Sequence, residues 1–180
     1  METKSILRNS YEFVKTIALV FILSFLIRTF LVQTFVVQGK SMEPNYLNRD
    51  YLLVDKVSYR FSPPRRGQIV VFRNPENRRV DFVKRVIGLP GDTVMLKDGR
   101  VLVNGNVLKE DYLSGVKTEA FSEISHLELG ANEYFMMGDN RENSLDSRRI
   151  GPISRSDFIG HVFVRVLPPQ RFSLAATPNF

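Results

Sequence analysis

The chain has 180 residues, 43% of them hydrophobic and 24% charged, and it carries no cysteine. That composition excludes a wholly disordered chain, a disulfide scaffold, a Cys₄ zinc site and a cysteine nucleophile. The two histidines, His126 and His161, lack the spacing of metal ligands. The formal charge is +6, and the whole excess lies between Arg60 and Arg85, where eight Lys or Arg accompany only Glu76 and Asp81. This stretch reads as a solvated basic face or as a face held near anionic lipid headgroups. A nucleic-acid patch fits less well, because the basic residues alternate with an apolar strand rather than with stacking aromatics.

At the N-terminus, Thr16 to Ile27 carries no charge. A membrane span needs about 20 apolar residues. Arg28 can snorkel outward and Lys15 inward, which extends the apolar stretch to Val32 or beyond. The segment is apolar on every side rather than along one stripe, which disfavours a buried core helix. A cleaved signal peptide would need small residues at its cleavage site, and Val36-Val37-Gln38-Gly39-Lys40 has no Ala-x-Ala. The expectation is an uncleaved anchor over residues 16–35. Lys4, Arg8 and Lys15 precede it and put residues 1–15 in the cytoplasm by the positive-inside rule. Residues 36–180 then form a domain on the outer face of the cell membrane.

Beyond the anchor the pattern changes to short strand-like runs: residues 51–54, 68–72, 81–87, 93–96, 101–103, 134–137 and 161–166. Asn74-Pro75, Leu89-Pro90-Gly91-Asp92 and similar breakers separate them. Asp98-Gly99 predicts a hairpin, and Asn104-Gly105 a second tight turn. The expected fold is mainly β: a single N-terminal transmembrane helix, then an antiparallel domain of many short strands.

Candidates for chemistry lie in three segments. Serine hydrolases commonly pair Ser with His, but His126 sits in a polar loop and His161 at the start of a terminal strand. Gly39-Lys40-Ser41-Met42-Glu43-Pro44 could hold a serine rigidly with its hydroxyl exposed, or be an ordinary turn. In Asp81–Ile87, strand alternation sets Lys84 on the face of Phe82 and Val86. A strand lysine is usually a solvated edge residue. One facing an apolar interior loses its proton readily, and a neutral amine can act as general base for a serine hydroxyl. Residues 134–148 join a strand, a glycine turn and a dense polar loop, which reads by itself as a hydrogen-bonded surface loop.

In this order, Ser41-Met42-Glu43-Pro44, Arg66–Phe72, Lys84–Asp92 and Gly138–Arg148 resemble four boxes of the bacterial type I signal peptidases. The resemblance runs from the anchor to about Gly151, and the single short anchor is similar to compact members of Gram-positive bacteria. It implies a Ser–Lys dyad, with Ser41 as nucleophile and Lys84 as general base. It implies that Ser144 hydrogen-bonds and orients Lys84. Asp139, Asp146, Arg85 and Arg148 brace the site by ion pairs, and Gly138 lets the last box approach. The Ser41 N–H is one implied oxyanion donor. Gly39 stands where some members carry a second donor hydroxyl, so a second donor there would be main chain or water. Asn45 stands where threonine is common.

The implied reaction removes N-terminal signal peptides from secretory preproteins with small residues one and three places before the cut. Neither cofactor nor metal is implied, and the partners are the preprotein and the lipid bilayer, not nucleic acid. Two other readings share parts of this pattern. A self-cleaving Ser–Lys repressor-type peptidase would carry a DNA-binding domain where the apolar helix stands. An inactive relative, scaffolding a secretion complex or holding preproteins, would lack Ser41 or Lys84.

Overall fold

The computed structural model describes residues 2–26, 32–113, 118 and 126–178. It opens with helix α1 (Glu2–Leu26), 25 residues long, or about 37 Å at 1.5 Å per residue. Every side chain from Tyr11 to Phe25 on this helix is exposed, so it is not a core helix of the β domain. Among the described residues no helix is long and apolar enough to cross a membrane. Residues 27–31 of the expected span lie outside the described residues.

The last residues of that expected span are not helical. Val32–Val36 forms strand β1, paired antiparallel with β2 (Tyr51–Asp55) in the register Val32 to Asp55 and Val36 to Tyr51. The β domain therefore starts four residues before the expected boundary at residue 36. Val32, Val36, Thr34 and Phe35 suit a strand as well as a lipid-facing helix, and the ladder with β2 decides between them.

A short helix α2 (Ser58–Phe61) follows. The remaining strands are β3 (Ile69–Arg73), β4 (Asp81–Gly88), β5 (Thr93–Lys97), β6 (Arg100–Val103), β7 (Asn106–Val107), β8 (Leu127–Glu128), β9 (Glu133–Met137), β10 (Ile153–Ser154), β11 (Phe158–Leu167) and β12 (Ser173–Leu174), with helix α3 (Ser147–Ile150) between β9 and β10. They form two antiparallel sheets. The larger runs β1-β2-β11-β3-β4-β9-β10, with β12 added on β11; the smaller runs β7-β6-β5-β8. Both predicted hairpin turns form. Asp98 and Gly99 take φ of 52° and 72°, Asn104 and Gly105 52° and 77°, the left-handed pairs of a type I′ turn.

Three apolar clusters hold the layers together. Met42, Leu52, Val54, Ile69 and Val71 pack under β1–β3. Val70, Phe72, Val86 and Met136 pack on the other side of the larger sheet. Ile87, Val94, Val101, Phe135 and Met137 join the two sheets. Each fully buried aliphatic or aromatic side chain contributes about 1.5–3 kcal/mol. The join is close at Gly88, where a methyl group would collide with Leu129, Val94 and Phe135.

Strand β4 is the spine of the arrangement. Its partner β3 pairs with Asp81 through Arg85. On the other side, β9 pairs only from Arg85 to Gly88. Among the described residues the edge of β4 from Asp81 to Lys84 is thus unpaired on the β9 side, and Lys84 stands where β9 leaves.

Candidate active site

Ser41 begins the turn after β1. Gly39, with φ of 92°, turns the chain out of the strand, a left-handed conformation that glycine adopts without strain. The Met42 side chain, fully buried in the β1–β3 cluster, pins the residue after Ser41. The last polar loop holds Ser41 from behind. The Asn140 N–H donates to the Ser41 carbonyl at 3.0 Å. Gly138 packs so tightly there that a methyl group would collide with the same carbonyl and with Ser144 Oγ.

Lys84 Nζ lies 2.8 Å from Ser41 Oγ and also donates to the Val83 carbonyl at 3.1 Å. It sits 5.0 Å from the centre of the Phe82 ring, in keeping with the face assigned from strand alternation. Lys84 is 3% exposed. Burial lowers its pKa from 10.5 to about 8, against the charges of Asp146 and Asp139, which raise it, and with that of Arg148, which lowers it further. A substantial neutral fraction therefore exists near physiological pH, and the amine can accept a proton from the hydroxyl it touches.

Two buried ion pairs flank this contact. Arg85 donates to both oxygens of Asp139, at 2.8 and 2.7 Å, and to the Gly67 carbonyl at 2.8 Å. Arg148 donates to both oxygens of Asp146, at 2.8 and 2.9 Å. Asp146 also accepts from the Gly138 N–H at 3.0 Å. Burial alone would raise the Asp146 pKa, but the hydrogen bonds and charge of Arg148, with the Gly138 amide, hold it below the usual carboxylate value. The structure brings all the expected charged residues together: Asp139 with Arg85, and Asp146 with Arg148.

Two expected contacts differ. Ser144 Oγ is buried but does not hydrogen-bond Lys84, whose bonds go to Ser41 and Val83. It has no hydrogen-bond partner among the described residues, although it lies near enough to Asp146 to help hold that carboxyl's pKa down. The Gly39 N–H, expected to offer a second oxyanion donor, is engaged by Asn48 Oδ1 at 3.1 Å. The Ser41 N–H, by contrast, makes no hydrogen bond among the described residues.

Sequence reasoning assigned no role to four participants. Asn45 Nδ2 bridges Asp139 Oδ2 at 2.8 Å and the Tyr112 carbonyl at 3.2 Å. Arg141 lies within the last box yet was not singled out; it is buried and bound to Glu110. Glu110 and Tyr112 belong to a stretch with no motif to mark it. Both histidines stand apart from this group. His126 is exposed beside Glu128, and His161 is the fourth residue of β11, stacked on Tyr59.

A cavity of about 710 Å³ opens over the Ser41–Lys84 pair. One wall is β1 and the chain leading to Ser41; the other is residues 79–83, with Leu52 and Val71 also lining it. The cavity therefore combines apolar side chains with two strand edges, since among the described residues β1 ends the larger sheet and the first half of β4 is unpaired on one side. A buried amine against a serine hydroxyl, beneath such a groove, is equipped for acyl transfer from an extended peptide.

Comparison with known proteins fits this geometry. Residues 10–167 match the family described as "Signal peptidase, peptidase S26". The chain belongs to this signal peptidase family. Among its relatives, a signal peptidase I of Leptolyngbya laminosa is 39% identical over 175 residues, spanning 93% of this chain and 84% of the relative. A probable signal peptidase I-2 of Synechocystis sp. is 38% identical, over 91% of this chain and 76% of the relative. Signal peptidase I P of Bacillus subtilis subsp. natto is 39% identical, over 84% and 86%. The signal peptidase match spans the helix from residue 10 and the β domain to the end of β11, and all of the residues around Ser41 and Lys84 fall inside it.

The basic stretch from Arg60 to Arg85 is absorbed only in part by this architecture. Lys84 and Arg85 are inside the site, Arg66 pairs with Asp92, and Arg78 pairs with Asp157. Arg65, Arg73 and Arg79 remain exposed.

Proposed function

We propose that this protein is a membrane-anchored serine endopeptidase that removes signal peptides from secretory preproteins through a Ser41–Lys84 dyad. One observation carries the reading: Lys84 Nζ is within 2.8 Å of Ser41 Oγ and is dry enough to be neutral. Ser41 Oγ attacks the scissile carbonyl carbon while Lys84 takes its proton. The carbonyl oxygen gains the negative charge and is stabilised by the free Ser41 N–H. Collapse expels the leaving amine, which receives its proton from Lys84, and an acyl-enzyme remains. Lys84 then accepts a proton from water, the hydroxide equivalent attacks the acyl carbon, and Lys84 returns the proton to Ser41 Oγ as the ester bond breaks and the signal peptide leaves.

The substrate lies extended between β1 and the first half of β4, adding a strand and presenting alternate side chains to the groove. Small residues one and three places before the cut point the same way, toward the apolar floor near Leu52, Val71 and Val83. The exposed, all-round apolar surface of α1 from Ile17 to Phe25 supports an anchor. Lys4, Arg8 and Lys15 then hold the N-terminus in the cytoplasm, and the β domain works at the outer face. Exposed Arg65, Arg73 and Arg79 are available to anionic headgroups there. Enzyme and substrate, both tethered, meet at raised effective concentration.

The test is cleavage of a preprotein in detergent by the full chain and by its Ser41→Ala and Lys84→Ala variants. Each variant is expected to keep the native circular dichroism spectrum and lose cleavage. Native-rate cleavage by either one removes the dyad.

A further inference from the structure

Arg141 is 1% exposed, and a guanidinium in that position is costly unless every donor is paired. Its Nε donates to the Gly138 carbonyl at 3.1 Å, inside the turn that backs Ser41. Its two terminal nitrogens reach Glu110 Oε2 at 3.0 Å and Oε1 at 2.5 Å, Tyr112 OH at 3.1 Å, and Thr118 Oγ1. Tyr112 OH in turn donates to Glu110 Oε1 at 2.7 Å. The Tyr112 ring lies under the Arg85 guanidinium, 4.2 Å from its centre, and the Tyr112 carbonyl accepts from Asn45. The stretch around Glu110 and Tyr112, just after β7, thus grips both arginines whose other contacts hold the turn behind the nucleophile. Arg85 fixes Asp139, Arg141 fixes Gly138, and Asn140, the residue between Asp139 and Arg141, donates to the Ser41 carbonyl.

We propose that Glu110 and Tyr112 are positioning residues for the Ser41–Lys84 pair, acting through the buried guanidinium groups of Arg141 and Arg85. This rests on the dyad reading above. Glu110 supplies the carboxylate that fixes the Arg141 fork. Without it the fork must find other acceptors, and the Gly138–Asn140 turn is free to shift. Ser41 then moves relative to Lys84 while the substrate groove between β1 and β4, which neither residue lines, is unchanged. Displacement of a reacting group by about 1 Å can cost on the order of a hundredfold in rate.

The experiment is a double-mutant cycle on the full chain in detergent, with kcat and KM measured separately. Glu110→Gln is expected to lower kcat about ten- to a hundredfold with KM held within about twofold. In an Arg141→Met background the same substitution is expected to lower kcat by no more than about twofold, because the group through which it acts is gone. Strictly additive losses, a native kcat in Glu110→Gln, or a change confined to KM overturns the proposal. If Glu110→Gln does not fold, Tyr112→Phe decides: it keeps the ring under Arg85 and removes the hydroxyl, so kcat falls several-fold with KM unchanged, and a native kcat refutes the role. Ser41→Ala is run in parallel. Cleavage that survives it sinks the dyad itself, whereas native turnover in Glu110→Gln alongside a dead Ser41→Ala sinks only this positioning role.

Discussion

With Lys84 as the proposed general base, the pH dependence of cleavage is set by the environment of one amine. Lys84 is buried, and its pKa falls from 10.5 to about 8. At pH 7 about a tenth of the enzyme then carries neutral Lys84, against roughly three parts in ten thousand for an unperturbed lysine. Burial therefore raises the reactive fraction about 300-fold at that pH. Because kcat/KM reports the free enzyme, it should rise about tenfold from pH 6 to 7, about fivefold from 7 to 8, and level off within a further twofold. The assay is initial cleavage of a fluorogenic peptide, with small residues one and three places before the cut, at substrate well below KM and from pH 5.5 to 10. A flat profile, or a midpoint above pH 10, would refute a buried lysine base.

Other outcomes follow from the same geometry. Lys84→Met should inactivate the enzyme yet stabilise it at low pH. The lysine's folded pKa lies below its unfolded one, so it weakens folding fully below about pH 8, by roughly 3 kcal/mol, and ceases to do so above pH 10.5. Denaturant midpoints at pH 6 and pH 11 check this, and an advantage for Met that does not shrink with rising pH contradicts the burial argument. Gly138→Ala should cost about 1–3 kcal/mol of stability through overpacking and lower kcat at least tenfold, since the methyl meets Ser144 and the Ser41 carbonyl; native kcat would mean the turn is looser than described. Deleting residues 1–31 should leave a folded enzyme that no longer pellets with membranes. Deleting residues 1–36 also removes β1 and one groove wall, and should lose most activity on peptides; equal activity of the two truncations would exclude β1 from substrate binding.

Much of this was legible in the sequence for a physical reason. Apolar runs cut by Gly and Asn turns announce strands, and Asp98-Gly99 and Asn104-Gly105 formed the turns their chemistry favours. Lys84 was legible because pleat alternation ties it to Phe82 and Val86. Strand β1 was not legible, since Val32–Val36 continues an apolar segment and only its ladder with β2 separates strand from helix. The Glu110–Arg141 pairing was hidden for a different reason: 31 residues separate the partners, and no periodicity marks such a contact. Ser144 was found as a site residue, but its hydroxyl direction depends on side-chain packing that a motif does not encode.

The adjacency of Lys84 and Arg85 has a consequence for how this chemistry tolerates change. Neighbouring residues on a pleat leave the backbone on opposite sides, so two cations one bond apart meet opposite fates: one is given a carboxylate at 2.7 Å, the other a hydroxyl at 2.8 Å. Exchanging these two neighbours in the sequence would reverse that assignment. The serine would then face a guanidinium that cannot surrender its proton at any usable pH, and the acid partner would receive an amine too compact to span both its oxygens. On the proposed dyad, parity along one strand thus separates a working hydrolase from an inert fold of almost the same sequence.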